Sequence, residues 1–141
     1  MTGYSIIKMA GSNSVGIATY NLHGLNNGRS GLLELCNNPS IHVIAVQEHW
    51  LHNANLHLLN DIHPDFAGFG ISSMTERLCT EVYRGRPYGG VGFLWRKAHS
   101  NRVAIGSKAA SGRCLTAVVE FDTGEKINIV TVYFPCSNSA I

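Results

Sequence analysis

The chain has 141 residues, of which 45% are hydrophobic and 14% charged, with a formal net charge of +2. That length supports one domain with its own core, and that composition excludes a disordered chain. No apolar stretch is long enough to span a bilayer, and the N-terminus lacks the basic start and long apolar core of a signal peptide, so an intracellular protein is expected.

Residues 1–14 are polar and Gly/Ser-bearing and read as a loose leader, which leaves 15–141 as the domain. A first strand is expected from about Val15 to Leu22. Gly24 to Arg29 is rich in Gly and Asn and reads as a turn, with Ser30 capping a short helix that carries Leu32, Leu33, Leu35 and Cys36. The second strand, Val43 to Glu48, is apolar on both faces and so is expected at the centre of a sheet. Together these make one βα unit feeding a neighbouring strand. His49 to Ile62 reads as short helical or irregular structure, and Phe66 to Ile71 as a short strand. Ser72 to Tyr88 is a long basic loop, closed by Gly89-Gly90. Four β segments follow: Val91 to Arg96, Arg102 to Ile105, Arg113 to Phe121 and Ile127 to Phe134. Asp122 to Glu125 joins the last two as a tight hairpin, so antiparallel pairing is expected in this half. The chain stops just behind a strand that looks central, which predicts an unpaired edge and a piece of a larger domain.

Charge is unevenly spread. From Arg77 to Arg113 there are eight bases (Arg77, Arg84, Arg86, Arg96, Lys97, Arg102, Lys108 and Arg113) against one acid, Glu81. The block either attracts a polyanion or forms the solvated rim of alternating strands. Its arginine content and the interleaved Tyr83 and Tyr88 favour the polyanion. The four cysteines, Cys36, Cys79, Cys114 and Cys136, lie far apart and read as reduced core thiols, not as a zinc set. His49 and His52 are three apart and suit one helical face, but no HExxH order occurs. Gly89 to Gly92 precedes a strand, which excludes a phosphate loop and leaves a tight turn with close backbone approach. No GxSxG is present.

Three apolar runs end on a polar residue of catalytic type: the first on Asn21, the second on Glu48, the last on Tyr133. Strand ends are where α/β proteins build sites. Glu48 is either a hard oxygen ligand for a cation such as Mg²⁺ or an ordinary loop carboxylate. Asn21 either contacts a phosphate oxygen or serves a Gly-rich turn. Tyr133 either donates to a developing phosphorane oxygen or packs as a core aromatic.

Four segments together carry a resemblance: Ile17 to Asn26 (IATYNLHGLN), Ile44 to Trp50 (IAVQEHW), Gly89 to Lys97 (GGVGFLWRK) and Ile129 to Pro135 (IVTVYFP). In this order they resemble the endonuclease/exonuclease/phosphatase superfamily, most of all the endonuclease domain of non-LTR (LINE-type) retrotransposons. The resemblance runs from about Val15 to Cys136. It implies a four-layer α/β sandwich, two mixed sheets face to face with helices outside, cut off after the strand ending near Phe134. It implies a metal-dependent phosphodiesterase that nicks DNA with Mg²⁺ (Mn²⁺ as an alternative), a reverse transcriptase domain downstream and a nuclear location. Glu48 and Asn21 fall on the family's metal-binding positions, and Asn21 and Tyr133 on its phosphate contacts. Arg77, Arg84, Arg86 and Arg113 would ride on the DNA backbone. His23 stands where the repair-endonuclease branch has an Asp. The family's Gly-Asp-Phe-Asn motif and its later Asp-His pair, which activate the attacking water, do not occur, so this chain alone is expected to be inactive. A non-catalytic remnant that at most binds nucleic acid, and a phosphatase or phospholipid diesterase of the same fold, are the alternatives.

Overall fold

The computed structural model describes residues 15–74 and 87–134. The expected leader, Arg77, Arg84 and Arg86 of the basic loop, Cys79 and Cys136 all lie outside the described residues.

Strand β1 (Ile17–Asn21) leads through helix α1 (Leu25–Cys36) to β2 (Val43–Gln47), which pairs with β1 in parallel. A 3₁₀ helix (Asn53–Asp61) precedes β3 (Phe66–Ile71), which pairs antiparallel with β4 (Val91–Arg96). Strand β4 also lies antiparallel to β2, so the first sheet has the order β1-β2-β4-β3. A second 3₁₀ segment (Lys97–Arg102) leads into an antiparallel meander of β5 (Val103–Lys108), β6 (Cys114–Glu120) and β7 (Lys126–Val132). At the β6–β7 turn the Phe121 N–H donates to the Glu125 carbonyl (2.8 Å), as the hairpin residues predict.

Period-2 alternation decides which residue faces which layer. Ala18, Ile44, Val46 and Leu94 pack against Leu25, Leu32, Leu35 and Cys36 of α1 and Leu59 of the 3₁₀ helix. Their neighbours Ile17, Val43, Ala45, Val91 and Phe93 face Leu115, Ala117 and Val119 of the second sheet. Strand β2 is therefore apolar from Val43 to Val46 because both its faces are covered there, which is what its sequence implies. Helical layer, sheet and sheet make three of the four expected layers. Among the described residues no helix covers the outer face of the second sheet, where Val130 is 54% exposed. Nor is any described helix long and apolar enough to cross a membrane.

Three expectations are corrected. The stretch Gly24 to Arg29 is not a turn, and Ser30 is not a cap: α1 begins at Leu25, with Gly24 as a cap that makes no side-chain hydrogen bond. Leu25, Gly28, Leu32, Leu35 and Cys36 form its buried stripe. Packing of that stripe overrides the poor helix propensity of Asn26, Asn27 and Gly28. Gly28 is small because a Cβ there would lie 2.6 Å from the Leu22 carbonyl oxygen. Second, His49 and His52 share no helical face, because both precede the 3₁₀ helix. Third, the basic block is only partly a solvated surface. Arg96 turns inward and donates to the carbonyls of Cys36 (3.2 Å), Asn38 (3.0 Å) and Ile41 (2.8 Å) behind the C-terminus of α1. Its guanidinium also lies 4.6 Å above the Phe66 ring centre. Arg102 pairs with Asp122. Lys97, Lys108 and Arg113 are the exposed bases of the described part of the block.

Gly28 gives a test of this packing. In an open helix Gly→Ala stabilises by roughly 1 kcal/mol. Here Gly28→Ala is expected to destabilise by about 1–3 kcal/mol, because the methyl meets fixed backbone. Urea unfolding of the two proteins measures it, and a stabilised variant would refute the close approach of α1 to β1.

Candidate active site

Three strands change character along their inward-facing positions. On β1 the series is Ile17, Thr19, Asn21; on β2 it is Val43, Ala45, Gln47; on β7 and just beyond it is Ile129, Thr131, Tyr133. Each begins apolar and ends polar at the C-terminal end, so apolar packing between the sheets gives way there to an open cleft. The cleft has a volume of about 760 Å³. Asn21, Glu48 and Tyr133 all line it, so the three strand-end residues singled out by sequence are brought together.

Glu48 owes its place to its backbone. Strand β2 ends at Gln47, one residue earlier than expected, and Glu48 turns left-handed with φ 56°. The next segment is clamped from both sides. On one side the N–H groups of Leu22, Gly24 and Leu25 donate to the carbonyls of Gln47 (2.9 Å), Glu48 (2.8 Å) and His49 (3.0 Å). On the other, the N–H groups of Glu48 and Trp50 donate to the carbonyls of Gly90 (2.8 Å) and Gly89 (3.0 Å). The Gly89-Gly90 pair makes the close backbone approach that its sequence suggests, though no hydrogen-bonded turn forms at 87–90, and its carbonyls hold the Glu48 and Trp50 N–H groups.

His49 sits inside this clamp and is fully buried. Its Nδ1 accepts the Leu51 N–H (2.9 Å), which fixes the tautomer, so Nε2–H donates to the Ile71 carbonyl (2.9 Å). A Cβ on Gly90, which has φ 92°, would fall 2.1 Å from the imidazole Cε1. His49 is therefore a packed core residue.

Asn21 is exposed, and its Oδ1 accepts the His23 N–H (3.0 Å) in a local turn. Tyr133 is half-buried against Gly89, whose missing Cβ would lie 3.4 Å from its Cε2. Its N–H donates to the Arg113 carbonyl (2.9 Å), which sets exposed Arg113 next to Tyr133 across the β6–β7 pair. Ser73 ties this side to the Glu48 clamp: its hydroxyl donates to the Gly112 carbonyl (3.0 Å) and accepts the Gly90 N–H (3.2 Å).

Sequence reasoning passed over Gln47. Its Nε2 donates to Thr19 Oγ1 (3.1 Å) within the first sheet and to Thr131 Oγ1 (2.9 Å) on β7, bridging the two sheets at the base of the cleft. Thr131 is buried and donates to the Val46 carbonyl (3.3 Å). The available signal was phase: Gln47 follows Val43 and Ala45 on the inward face.

Chemically, the polar end of the cleft offers one carboxylate, two amides, two threonine hydroxyls and a phenol. Glu48 supplies the carboxylate and Asn21 an amide oxygen at this end of the cleft. Among the described residues no three His, Cys, Asp or Glu cluster to hold a metal by themselves. Cys36, buried under α1, has its thiol pushed up to about 12 by desolvation and is inert.

No family model matches the chain. No curated protein matches it either. Solved structures do. The chain is similar to NExo, a 3′ phosphatase from Neisseria bound to a product DNA hairpin, with 18% identity and a TM-score of 0.51. It is similar also to a 3′-5′ exonuclease (NExo) from Neisseria meningitidis, with 19% identity and a TM-score of 0.50. In both cases the match covers 83% of this chain and 40% of the other. The chain therefore shares the two-sheet α/β fold of nuclease and phosphatase enzymes and spans less than half of their length.

The clamp around Glu48 carries a pH signature. Burial drives the His49 pKa down from 6.5 to about 4, offset only in part by its backbone hydrogen bonds. The unfolded chain takes up this proton near 6.5 and the folded chain only near 4, so stability is intact above pH 6.5 and lost as the pH falls toward 4. The expected loss is about 3 kcal/mol. His42, lowered by burial and then by His99 and Arg96, acts in the same direction. Urea midpoints at pH 7 and pH 4.5 measure the loss, and equal midpoints would show that His49 is not held neutral.

Proposed function

We propose that the chain carries the cation- and phosphate-gripping part of a metal-dependent phosphodiesterase acting on DNA, of the kind found as the endonuclease domain of LINE-type retrotransposons. The observation that carries this reading is the convergence of Asn21, Glu48 and Tyr133 in one cleft, with Arg113 paired to Tyr133. The fold shared with a 3′ phosphatase bound to a DNA hairpin supports it.

The donors suit Mg²⁺ or Mn²⁺. Both are hard cations that take one or two carboxylates and fill their remaining positions with water and substrate phosphate, so a single Glu with an amide oxygen nearby is enough. When bound, such an ion neutralises non-bridging phosphate oxygens and polarises the phosphorus. Glu48 would hold it. Asn21 would share in that hold or donate its amide N–H to phosphate. The Tyr133 hydroxyl would donate to an oxygen gaining charge in the transition state. Arg113 would meet a neighbouring backbone phosphate and so favour a polymer over a small ester. No second acid and no histidine lines the described cleft, so the proton acceptor for the attacking water would come from other residues. In the whole protein a reverse transcriptase domain would follow, and the target would be nuclear DNA.

A 3′ phosphatase is the second reading, favoured by the activity of the structural neighbour. If neither activity exists, what remains is a nucleic-acid-binding remnant.

The purified chain should bind duplex DNA with an affinity that falls steeply with salt, and Arg113→Ala should lower the salt slope by about 1. Millimolar Mg²⁺ should tighten binding in a manner lost in Glu48→Ala. Supercoiled plasmid should remain intact. Salt-independent or absent binding would remove DNA as the partner. Nicking abolished by Glu48→Ala would show that this chain completes the reaction. Release of phosphate from a 3′-phosphorylated oligonucleotide without nicking would favour the phosphatase.

A further inference from the structure

Among the described residues three that are not glycine have a left-handed backbone, and all three meet at one point: His23 (φ 50°), Glu48 (φ 56°) and Trp50 (φ 61°). Glu48 faces the cleft. His23 and Trp50, each two residues past a cleft-lining residue, bring their rings together, with centroids 5.0 Å apart and planes tilted by 58°. Neither ring belongs to either hydrophobic core cluster, so core packing does not account for the pair. The pair is nevertheless held in place. Gly24 has φ 89° and no side chain, and a Cβ there would lie 2.5 Å from Trp50 Cε3, so the indole rests against bare backbone. His23 is pinned on both sides of its Cα: its N–H donates to Asn21 Oδ1 (3.0 Å), and its carbonyl accepts from Asn27 Nδ2 (2.8 Å). The His23 side chain is exposed and Trp50 is half-buried.

We infer that His23 and Trp50 form a stacking subsite for the nucleobase next to the phosphate held by Asn21 and Glu48. The inference rests on the nucleic-acid reading above. Two features carry it. The same short turns that place the phosphate ligands place the rings, since His23 lies two residues beyond Asn21 and Trp50 two beyond Glu48. A rigid aromatic surface at that distance along the chain is what a base demands, because every base has a π-face and stacking needs no sequence-specific donors. Backbone strain concentrated on solvent-accessible rings is also the pattern of a preorganised contact, since ordering them on binding costs less. The subsite would give base-dependent, sequence-tolerant affinity where phosphate contacts alone give only charge-dependent affinity.

The test compares a single-stranded oligothymidylate with an abasic deoxyribose-phosphate oligomer of the same length. Both are end-labelled and read by fluorescence anisotropy against the full chain, with and without Mg²⁺. The unsubstituted chain should prefer the base-bearing strand by about fivefold or more. Trp50→Ala should bring the two affinities close together while leaving abasic binding unchanged, and Trp50→Phe should keep the preference. His23→Asn removes the ring at a position whose left-handed backbone Asn tolerates, so it reports even if Trp50→Ala unfolds; it should reduce the preference too. No preference in the unsubstituted chain, absent binding of both strands, or equal losses on both strands in the folded variants would overturn the subsite. The Mg²⁺ response is separate. A base preference without it would sink the metal–phosphate reading and leave the subsite standing, and the reverse result would do the opposite.

Discussion

One buried imidazole organises the candidate site. His49 has no solvent contact, yet it bonds at both nitrogens, to the end of β3 through Ile71 and to the segment before the first 3₁₀ helix through Leu51. Its ring fills the space that Gly90 leaves empty at the start of β4. The carbonyl of the same Gly90 holds the N–H of Glu48. Three strands and a loop are thus fixed relative to the one carboxylate of the cleft by a group that never touches it. A buried polar side chain with both partners satisfied stabilises and specifies; one left unpaired would cost more than an apolar replacement. The geometry of Glu48 and the neutrality of His49 are for this reason a single property.

Around that keystone the sandwich is graded. The inter-sheet space is filled by Ile17, Val43, Ala45, Val91, Phe93, Leu115, Ala117 and Val119, then passes to threonine, glutamine, asparagine and tyrosine at one end. Burial of the apolar part supplies the driving force at roughly 25 cal/mol per Å² of apolar surface. The polar end contributes less and constrains more, since hydrogen bonds are directional and buried apolar contacts are not. The two kinds of contact divide the work along the same strands.

Much of this was legible in the sequence because it rests on local pattern. The strand periods of β2, β3, β4, β6 and β7 are carried by their own residues, and the three strand-end polar residues do share a cleft. What escaped depends on contacts between distant segments. Gly24 to Arg29 reads as a turn by propensity, and only close packing against the end of β1 makes Gly28 a helix residue. Arg96 looks like surface charge until the carbonyls behind α1 converge on it. His49 reads by spacing as a partner of His52 on one helical face, and its core role follows from Ile71 and Gly90, far along the chain. The bridge from Gln47 to Thr131 joins residues 84 apart, which no local window contains. The left-handed turns at Glu48 and Trp50 have no sequence signal, since neither is Gly, Asn, Asp or His.

The two arms of the cleft are not held equally. The Asn21–Glu48 arm is built within one sheet, where β1 and β2 pair in register from Ile17 with Val43 to Asn21 with Gln47. Main-chain bonds on both flanks extend that frame past the strand ends. The Tyr133 arm belongs to the other sheet. It is tied across by Gln47 to Thr131, by Thr131 to the Val46 carbonyl, and by Ser73 between Gly90 and Gly112. Relative motion of the sheets would leave the carboxylate and amide in register and displace the phenol and Arg113. The placement of Asn21 and Glu48 is therefore intrinsic to the first sheet, whereas the placement of Tyr133 and Arg113 relative to them depends on three hydroxyl- and amide-mediated links. A ligand that spans both arms would gain from the rigidity of one and supply part of the rigidity of the other, and an extended phosphodiester backbone has the reach to do so.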